Sequence, residues 1–433
     1  MGILLTTLYV VSSHLSPAVL APELEPYRPL VWLTVVAIIA ALVTAWRYSY
    51  PYRAPQNSLL LGLFAVILFS SAVQAGSAGL TFAVSNFLPS LAAYFLCVAT
   101  IRNTRHLWIL TASLILVALY MAVSGMLAYR SGGPSLFVNM WPPLERQVPG
   151  GVVERRICGL GFLNDPNDFA QFLLVILPFV WLAWRSGSTV RNLVIVIIPS
   201  LVILWAVLLT QSRGGILGFG VLLAFALRKR IGITASLAAT VILVIGIMAS
   251  GVLKRGEISV HEDSAAGRVE AWGNGVAMWK SSPLWGVGYG QFGRHNEDQQ
   301  GLTAHNSYVL CFAELGTLGY LLWLGLIGAT LLDLGALLRT PSDDNPLDAN
   351  LLGWANAIRL SLFAYLATSW FLSRTYVVTP YVLLGMAVAV VSMANQERGE
   401  DIHSDARGIF RWAAGAALAS VLLVYGTLWM RLA

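Results

Sequence analysis

Residues 192–230 read NLVIVIIPSLVILWAVLLTQSRGGILGFGVLLAFALRKR. An apolar run free of charge extends from Leu193 to Thr210, a short polar connection holds Arg213, and a second apolar run ends at Arg228, Lys229 and Arg230. Wound as a helix at about 1.5 Å per residue, a run of nearly 20 residues covers the roughly 30 Å of bilayer hydrocarbon. Comparable runs recur near 3–20, 29–46, 58–74, 82–99, 107–127, 168–184, 192–210, 214–227, 231–251, 306–335, 351–371, 376–394 and 410–430. Of the 433 residues, 57% are hydrophobic and only 11% charged, against about 25% charged in an average soluble domain. Soluble, disordered and β-barrel classes fall with that observation. The expected fold is an all-α polytopic membrane protein with about 12 transmembrane helices, forming a single integral membrane domain over residues 1–433. The count is twelve or thirteen according to whether 3–20 and the short 214–227 both cross. Residues 3–20 lack a basic start and are followed by an acidic, Pro-rich stretch, Ala21 to Pro29, so they read as a retained span rather than a cleaved signal.

Sidedness follows from the basic residues. The connections carrying Arg47 and Arg53, Arg102 and Arg105, Arg185 and Arg191, and Arg228, Lys229 and Arg230 hold no acid, which marks them cytoplasmic. Alternation then puts two long polar segments outside, 128–167 and 252–305, each expected to contain short amphipathic helices, and the working parts are expected there. Within the second, Ser264 to Ser281 sets Val269, Trp272, Val276 and Trp279 at helical spacing, after a cap at Asp263 or Ser264. This amphipathic helix either lies along the membrane surface or packs on the bundle as a lid. The formal charge of +6 comes from 24 Arg and 3 Lys against 21 acids, a bias toward the planar fork that grips phosphate, or toward ordinary codon usage. Cys97, Cys158 and Cys311 are scattered and odd in number, so neither a disulfide framework nor a cysteine metal site is expected. No nucleic-acid partner is expected; membrane lipids are.

Several outer residues carry candidate chemistry. Topology gives no reason for basic residues outside, yet Arg130, Arg146, Arg155, Arg156, Arg213, Lys254, Arg255, Arg268, Lys280, Arg294 and Arg374 fall there. Most have acidic neighbours and fit solvated ion pairing. Arg213 has none, so its charge at the membrane surface calls for an anion, either a lipid headgroup or a substrate diphosphate. His261, His295 and His305 are the outer histidines, and only His305, in Thr303-Ala-His-Asn-Ser-Tyr308, stands where a loop meets an apolar helix. An imidazole there fits a proton acceptor near neutral pH or an interfacial cap. The spacing of the three histidines matches no compact zinc pattern. Asn164-Asp-Pro-Asn-Asp168 opens the sixth span; Asp165 and Asp168 read as turn and cap residues before divalent-ion ligands. Gly286-Val-Gly-Tyr-Gly290 imitates a potassium-channel filter, but Trp285 precedes it and a polar stretch, Gln291 to Gln300, follows where an inner pore helix belongs.

Taken together, these motifs resemble the O-antigen ligase and O-antigen polymerase superfamily of bacterial membrane glycosyltransferases, the ligases most closely. The resemblance rests on His305-Asn306 followed, after nine intervening residues, by Gly316-Thr-Leu-Gly319, on Arg268 just before Trp272, and on Pro283-Leu-Trp-Gly-Val-Gly288. Ser212-Arg213-Gly214 and Arg156-Ile-Cys-Gly159 with Asp165-Pro-Asn167 add to it. It covers about residues 155–330. The resemblance implies a GT-C-like fold in the bacterial inner membrane, acting on its periplasmic face without nucleotide sugar or cofactor. It implies an undecaprenyl diphosphate-linked glycan as donor and, for a ligase, lipid A core oligosaccharide as acceptor. His305 would take the proton of the attacking hydroxyl while Arg213 and Arg268 stabilise the diphosphate leaving group; Arg155, Arg156, Asn167, Asn306, Gly286 and Gly288 would bind substrate. Repeat-unit polymerisation and protein O-glycosylation are alternatives within the class, and lipid-linked glycan transport is one outside it. With arginines meeting the leaving group, no metal is expected. Glycan transfer should therefore survive excess chelator; loss on chelation with recovery on Mg²⁺ or Mn²⁺ would instead make Asp165 and Asp168 ligands.

Overall fold

The computed structural model describes residues 1–47, 53–133, 135–141, 153–250, 265–296, 301–339, 346–399 and 401–432. Among these residues, seven helices are long and apolar enough to cross a membrane: Pro29–Trp46, Pro55–Thr100, Thr104–Ser131, Thr189–Leu209, Ser307–Leu337, Val378–Arg398 and Ala406–Met430. Three more apolar helices, Gly2–Leu15, Pro166–Leu182 and Ile233–Ala249, are shorter. The chain is a multi-pass membrane protein. Its helix starts follow ordinary capping chemistry. Pro55 and Pro166 occupy first helical positions, where a missing N–H costs nothing. Asn103, Asp165, Ser212 and Asn306 each accept a hydrogen bond from an amide of the first turn.

Two sequence expectations need correction. The spans read separately at 58–74 and 82–99 belong to one stretch of helix, Pro55–Thr100, broken only at Gly76, whose φ of 60° and ψ of −147° lie outside the helical region. No polar loop separates them, because a single glycine makes the corner. The fold is also not purely helical. Val138–Trp141 pairs antiparallel with Glu154–Ile157, Val138 opposite Ile157 and Asn139 opposite Arg156. Among its described residues, the first long polar segment thus carries this ribbon and a short 3₁₀ turn, Gly161–Leu163, in place of an amphipathic helix. Four-residue strands are too short for a period of two to show against the surrounding polar sequence. In the second segment the amphipathic helix is present, as Ala265–Ser281. The caps Asp263 and Ser264, and Arg146, Lys254, Arg255 and His261, lie outside the described residues.

The chain divides into two compact units. The first comprises Met1–Thr44, Asn103–Ile258 and Asn356–Thr368. Its centre is the helix Pro166–Leu182, buried on every face from Asp168 to Val180, which is why its sequence is apolar all round rather than striped. Polar pins register it: Ser361 Oγ donates to the Val175 carbonyl at 2.7 Å, and Gln171 Nε2 to Thr368 Oγ1 at 2.8 Å.

The second unit comprises Ala45–Arg102, Ser259–Ala355 and Ser369–Ala433. Its centre is the helix Ser307–Leu337, broken at Gly316 (φ 64°, ψ −167°). The loop Pro283–Gly288 lies in the break. Val287 and Gly288 donate their amides to the Ala313 and Glu314 carbonyls, and Thr317 and Leu318 donate theirs to Pro283 and Leu284. Ser70 Oγ, from the first half of Pro55–Thr100, donates to the Trp285 carbonyl at 2.6 Å, and Gln74 Nε2 to the Gly286 carbonyl at 2.9 Å. The contacts are too close for side chains on the glycines. A Cβ at Gly316 would lie 2.4 Å from the Leu284 carbonyl carbon, and one at Gly286 2.3 Å from that of Glu314.

Gly316→Ala is accordingly expected to lower stability by about 1–2 kcal/mol from its left-handed backbone alone, and further from the overlap, read as the thermal melt in detergent. Gly335→Ala on the same helix, where a Cβ meets nothing within 4 Å, should be neutral or slightly stabilising.

Candidate functional site

In the second unit the His305 region is built from the helix Ala265–Ser281 inward. Trp272 and Val276 are buried. Trp272 Nε1 donates to the Ala304 carbonyl at 3.0 Å, and a Cβ on Gly275 would meet Val309 at 2.5 Å. The aromatic stripe therefore packs on protein, which decides between the two placements left open by the sequence. Arg268 is one helical turn before Trp272, and residues four apart share a face, so the turn that carries Arg268 adjoins the turn bound to Ala304. Next in the chain, His305 is partly exposed and holds φ at 48°, an uncommon region for a residue with a side chain. Asn306 is fully buried, and its Oδ1 accepts from the Tyr308 and Val309 amides. Its cap starts the helix immediately after the histidine.

One neighbour of His305 was not singled out by the sequence. Ser307 Oγ donates to the Leu372 carbonyl and accepts from the Arg374 amide at 2.8 Å, while Thr375 Oγ1 donates to the Ser307 carbonyl at 2.8 Å. Ser90 Oγ donates to the Tyr376 carbonyl, and Tyr381 Oη to the Thr375 carbonyl. Trp370 stands against both Trp272 and Tyr308. The connection 370–377 is thereby fixed to the start of the helix that follows His305. The sequence signal was an outer arginine, Arg374, in a connection without acids; it carried no motif to raise it above the others.

Gly286 and Gly288 lie deeper. Both are buried, and Gly288 (φ 103°) approaches Gln74 where Gly286 approaches Glu314. The close partner at each is protein, and the role this geometry supports is shaping the loop rather than touching a ligand. Glu314 Oε1 accepts from the Phe292 amide at 3.2 Å. Tyr289 and Tyr376 meet edge-to-face with centroids 4.7 Å apart. Burial raises the Tyr289 hydroxyl above its ordinary range, and the nearby Glu314 adds to it, so it stays a neutral hydroxyl.

In the first unit the predicted residues gather around the turn Thr210–Arg213. Arg156 is buried on its strand and its Nε donates to the Thr210 carbonyl at 3.0 Å. Ser212 caps the helix Arg213–Ile231 through the Gly215 amide, and Arg213 is exposed at its first residue. A Cβ on Gly215 would lie 2.9 Å from Ala170, so the start of this helix adjoins the first turn of Pro166–Leu182. Asn167 is in that turn, its amide donating to Asp165 Oδ1 at 2.7 Å. Asp165 thus caps, as read. Arg155 points elsewhere, its guanidinium donating to the Gly132 carbonyl at the end of Thr104–Ser131. Such a bond suits an arginine at a helix C-terminus. Cys158 is buried; desolvation pushes its thiol up to about 12, with the Asp165 carboxylate adding to the shift, so it is an inert neutral thiol. Among the described residues no group of three or more His, Cys, Asp or Glu is placed to hold a metal ion.

Residues 198–324 match the family model described as O-antigen ligase. That segment is what the chain shares with the family, 127 of its 433 residues. No curated protein matches the chain. The matched segment contains Arg213, Arg268, Gly286, Gly288, His305 and Asn306. Arg155, Arg156 and Asn167 precede it, and the 370–377 connection follows it.

The Arg156 bond gives a test that separates scaffold from substrate contact. Removing a buried charge-assisted donor costs about 1–3 kcal/mol, so Arg156→Leu should lower the melting temperature of the purified protein. An unchanged melt with impaired transfer would assign Arg156 to substrate alone.

Proposed function

We propose that the protein transfers a glycan from undecaprenyl diphosphate to an acceptor hydroxyl on the periplasmic face of the bacterial inner membrane, most specifically by ligating O-antigen to lipid A core oligosaccharide. The observation that carries this reading is the O-antigen ligase match over residues 198–324, which spans all three residues assigned to the chemistry. About 12 crossings, with 128–167 and 252–305 outside, give the orientation this function requires.

In the mechanism, the acceptor hydroxyl attacks the anomeric carbon as the bond from that carbon to the diphosphate oxygen breaks. The electron pair leaves with the diphosphate, the hydroxyl proton passes to His305, and the single displacement inverts the anomeric centre. A general base of this kind contributes typically 10²- to 10⁴-fold. The diphosphate gains charge as it departs, and fixed guanidinium groups stabilise charge that develops in a poorly screened site. Arg213 and Arg268 hold that role, with Arg156 behind the Arg213 turn. Asn306 holds the base in register through its cap, and Asn167 lies in the helix start beside the Arg213 turn. Arginines meeting the leaving group supply the electrostatics that a divalent ion would otherwise supply, so the reaction proceeds without metal.

The reading is tested by transfer from purified lipid-linked glycan to lipid A core oligosaccharide. His305→Ala should retain donor binding and lose transfer by about 10²- to 10⁴-fold; near-normal turnover would remove the histidine from the mechanism. Arg213→Lys and Arg268→Lys keep charge but lose the bidentate fork, so both should fall well below wild type, with alanine at least as damaging. Lysine that substitutes well would leave these arginines as headgroup or ion-pair anchors. In cells, deletion should strip the whole O-antigen ladder from the core; a core capped with a single repeat would identify a polymerase.

A further inference from the structure

We infer that Asn296 is a positioning residue for His305: its side-chain amide ties the segment entering the histidine to the helix Ala265–Ser281 and so fixes where the imidazole is carried. The inference rests on the proposed transfer reaction, in which His305 is the base, and it concerns residues of the second unit alone.

Asn296 is only 1% exposed, and both ends of its amide are used. Nδ2 donates to the Leu302 carbonyl at 2.7 Å, while Oδ1 accepts from Asn274 Nδ2, on the amphipathic helix, at 2.7 Å. Its backbone closes the same loop. The Asn296 carbonyl accepts from the Gly301 amide, and the Asn296 amide donates to the Gly293 carbonyl, both at 3.2 Å. A Cβ on Gly293 would lie 2.6 Å from the Gly301 carbonyl oxygen, so the two sides of the loop meet with no room for a side chain between them. Two residues beyond Leu302, the Ala304 carbonyl takes the Trp272 indole N–H. The helix therefore holds the carbonyls of 302 and 304, the second directly and the first through Asn296.

His305 needs such support. Its φ of 48° is a conformation that a residue with a side chain keeps where its surroundings over-determine it. After it, the Asn306 cap and the Ser307 bonds fix the chain; before it, the Asn296 and Trp272 bonds do so. Trp272 also buries a large indole, so its loss would disturb packing as well as free a carbonyl. Asn296 contributes chiefly polar bonds and isolates the effect. A general base must lie within hydrogen-bond reach of the proton it takes, and misplacement by about 1 Å costs about a hundredfold in rate. Freeing residues 302–304 should therefore lower turnover rather than substrate affinity.

The experiment uses the full-length protein in detergent, with lipid-linked glycan as donor and purified lipid A core oligosaccharide as acceptor, and places Asn296→Ala in two backgrounds. In wild type it should lower kcat about tenfold to a hundredfold and leave both KM values within about twofold. In His305→Ala it should lower the residual transfer by less than about twofold, because a residue that acts through the imidazole has nothing left to position. Asn274→Ala breaks the tie at its helix end, from a half-buried position. It should show the same pattern with a smaller loss, and it carries the test if Asn296→Ala does not fold. The inference is overturned if the same factor is lost in both backgrounds, which marks a general structural role or an effect through the helix of Arg268. It is also overturned if a KM rises while kcat holds, or if neither moves. Failure of the proposed function reads differently: wild type would transfer no glycan, or His305→Ala alone would turn over normally, and the inference would fall with it.

Discussion

A helix broken inside a membrane leaves carbonyls on one side of the break and amides on the other without partners, and hydrocarbon offers none. At Gly316 the loop Pro283–Gly288 supplies what the break removes. It gives the Val287 and Gly288 amides to the carbonyls of Ala313 and Glu314, and the Pro283 and Leu284 carbonyls to the amides of Thr317 and Leu318. The exchange is possible only because backbone meets backbone directly, hence the glycines at 286 and 316 on its two sides. Most of what the second unit does near His305 depends on this insertion, because the first half of the broken helix, Ser307–Leu315, is held at the angle the loop dictates.

From that half helix the site is assembled by short-range contacts. Asn306 caps it, Ser307 fastens the connection bearing Arg374, and Trp272 ties the preceding strand of chain to the amphipathic helix bearing Arg268. In the first unit, the turn bearing Arg213 has a comparable frame: the Ser212 cap, the Arg156 bond to Thr210 and the close approach of Gly215 to Ala170. Arg213 and His305 therefore each adjoin a helix start defined by a polar cap, Ser212 and Asn306.

Much of this was legible in the sequence for a physical reason: burial in lipid imposes composition over nearly 20 residues, and caps impose residue types at single positions. The long apolar helices, the amphipathic helix after 264, the cap at Asp165 and the O-antigen ligase resemblance all follow from such signals. What was hidden depended on tertiary context. Gly76 as a corner rather than a loop, the ribbon pairing Asn139 with Arg156, and the fastening of Arg374 to Ser307 join residues whose local sequence carries no period or motif. In the sequence the Gly286 to Gly290 run was a false filter motif and a source of substrate contacts; the structure gives Glu314 and Gln74 as the close partners of Gly286 and Gly288.

The break at Gly76 has a consequence in simple length. Pro55–Thr100 contains 46 residues; as one straight rod at about 1.5 Å per residue it would reach roughly 69 Å, more than twice the hydrocarbon thickness of a bilayer. An L-side chain at 76 would touch nothing within 4 Å, so space does not forbid one there. What forbids it is the mirror-image backbone the corner requires, and a residue that returned φ to its right-handed value would join the two segments into a rod that no membrane is thick enough to hold.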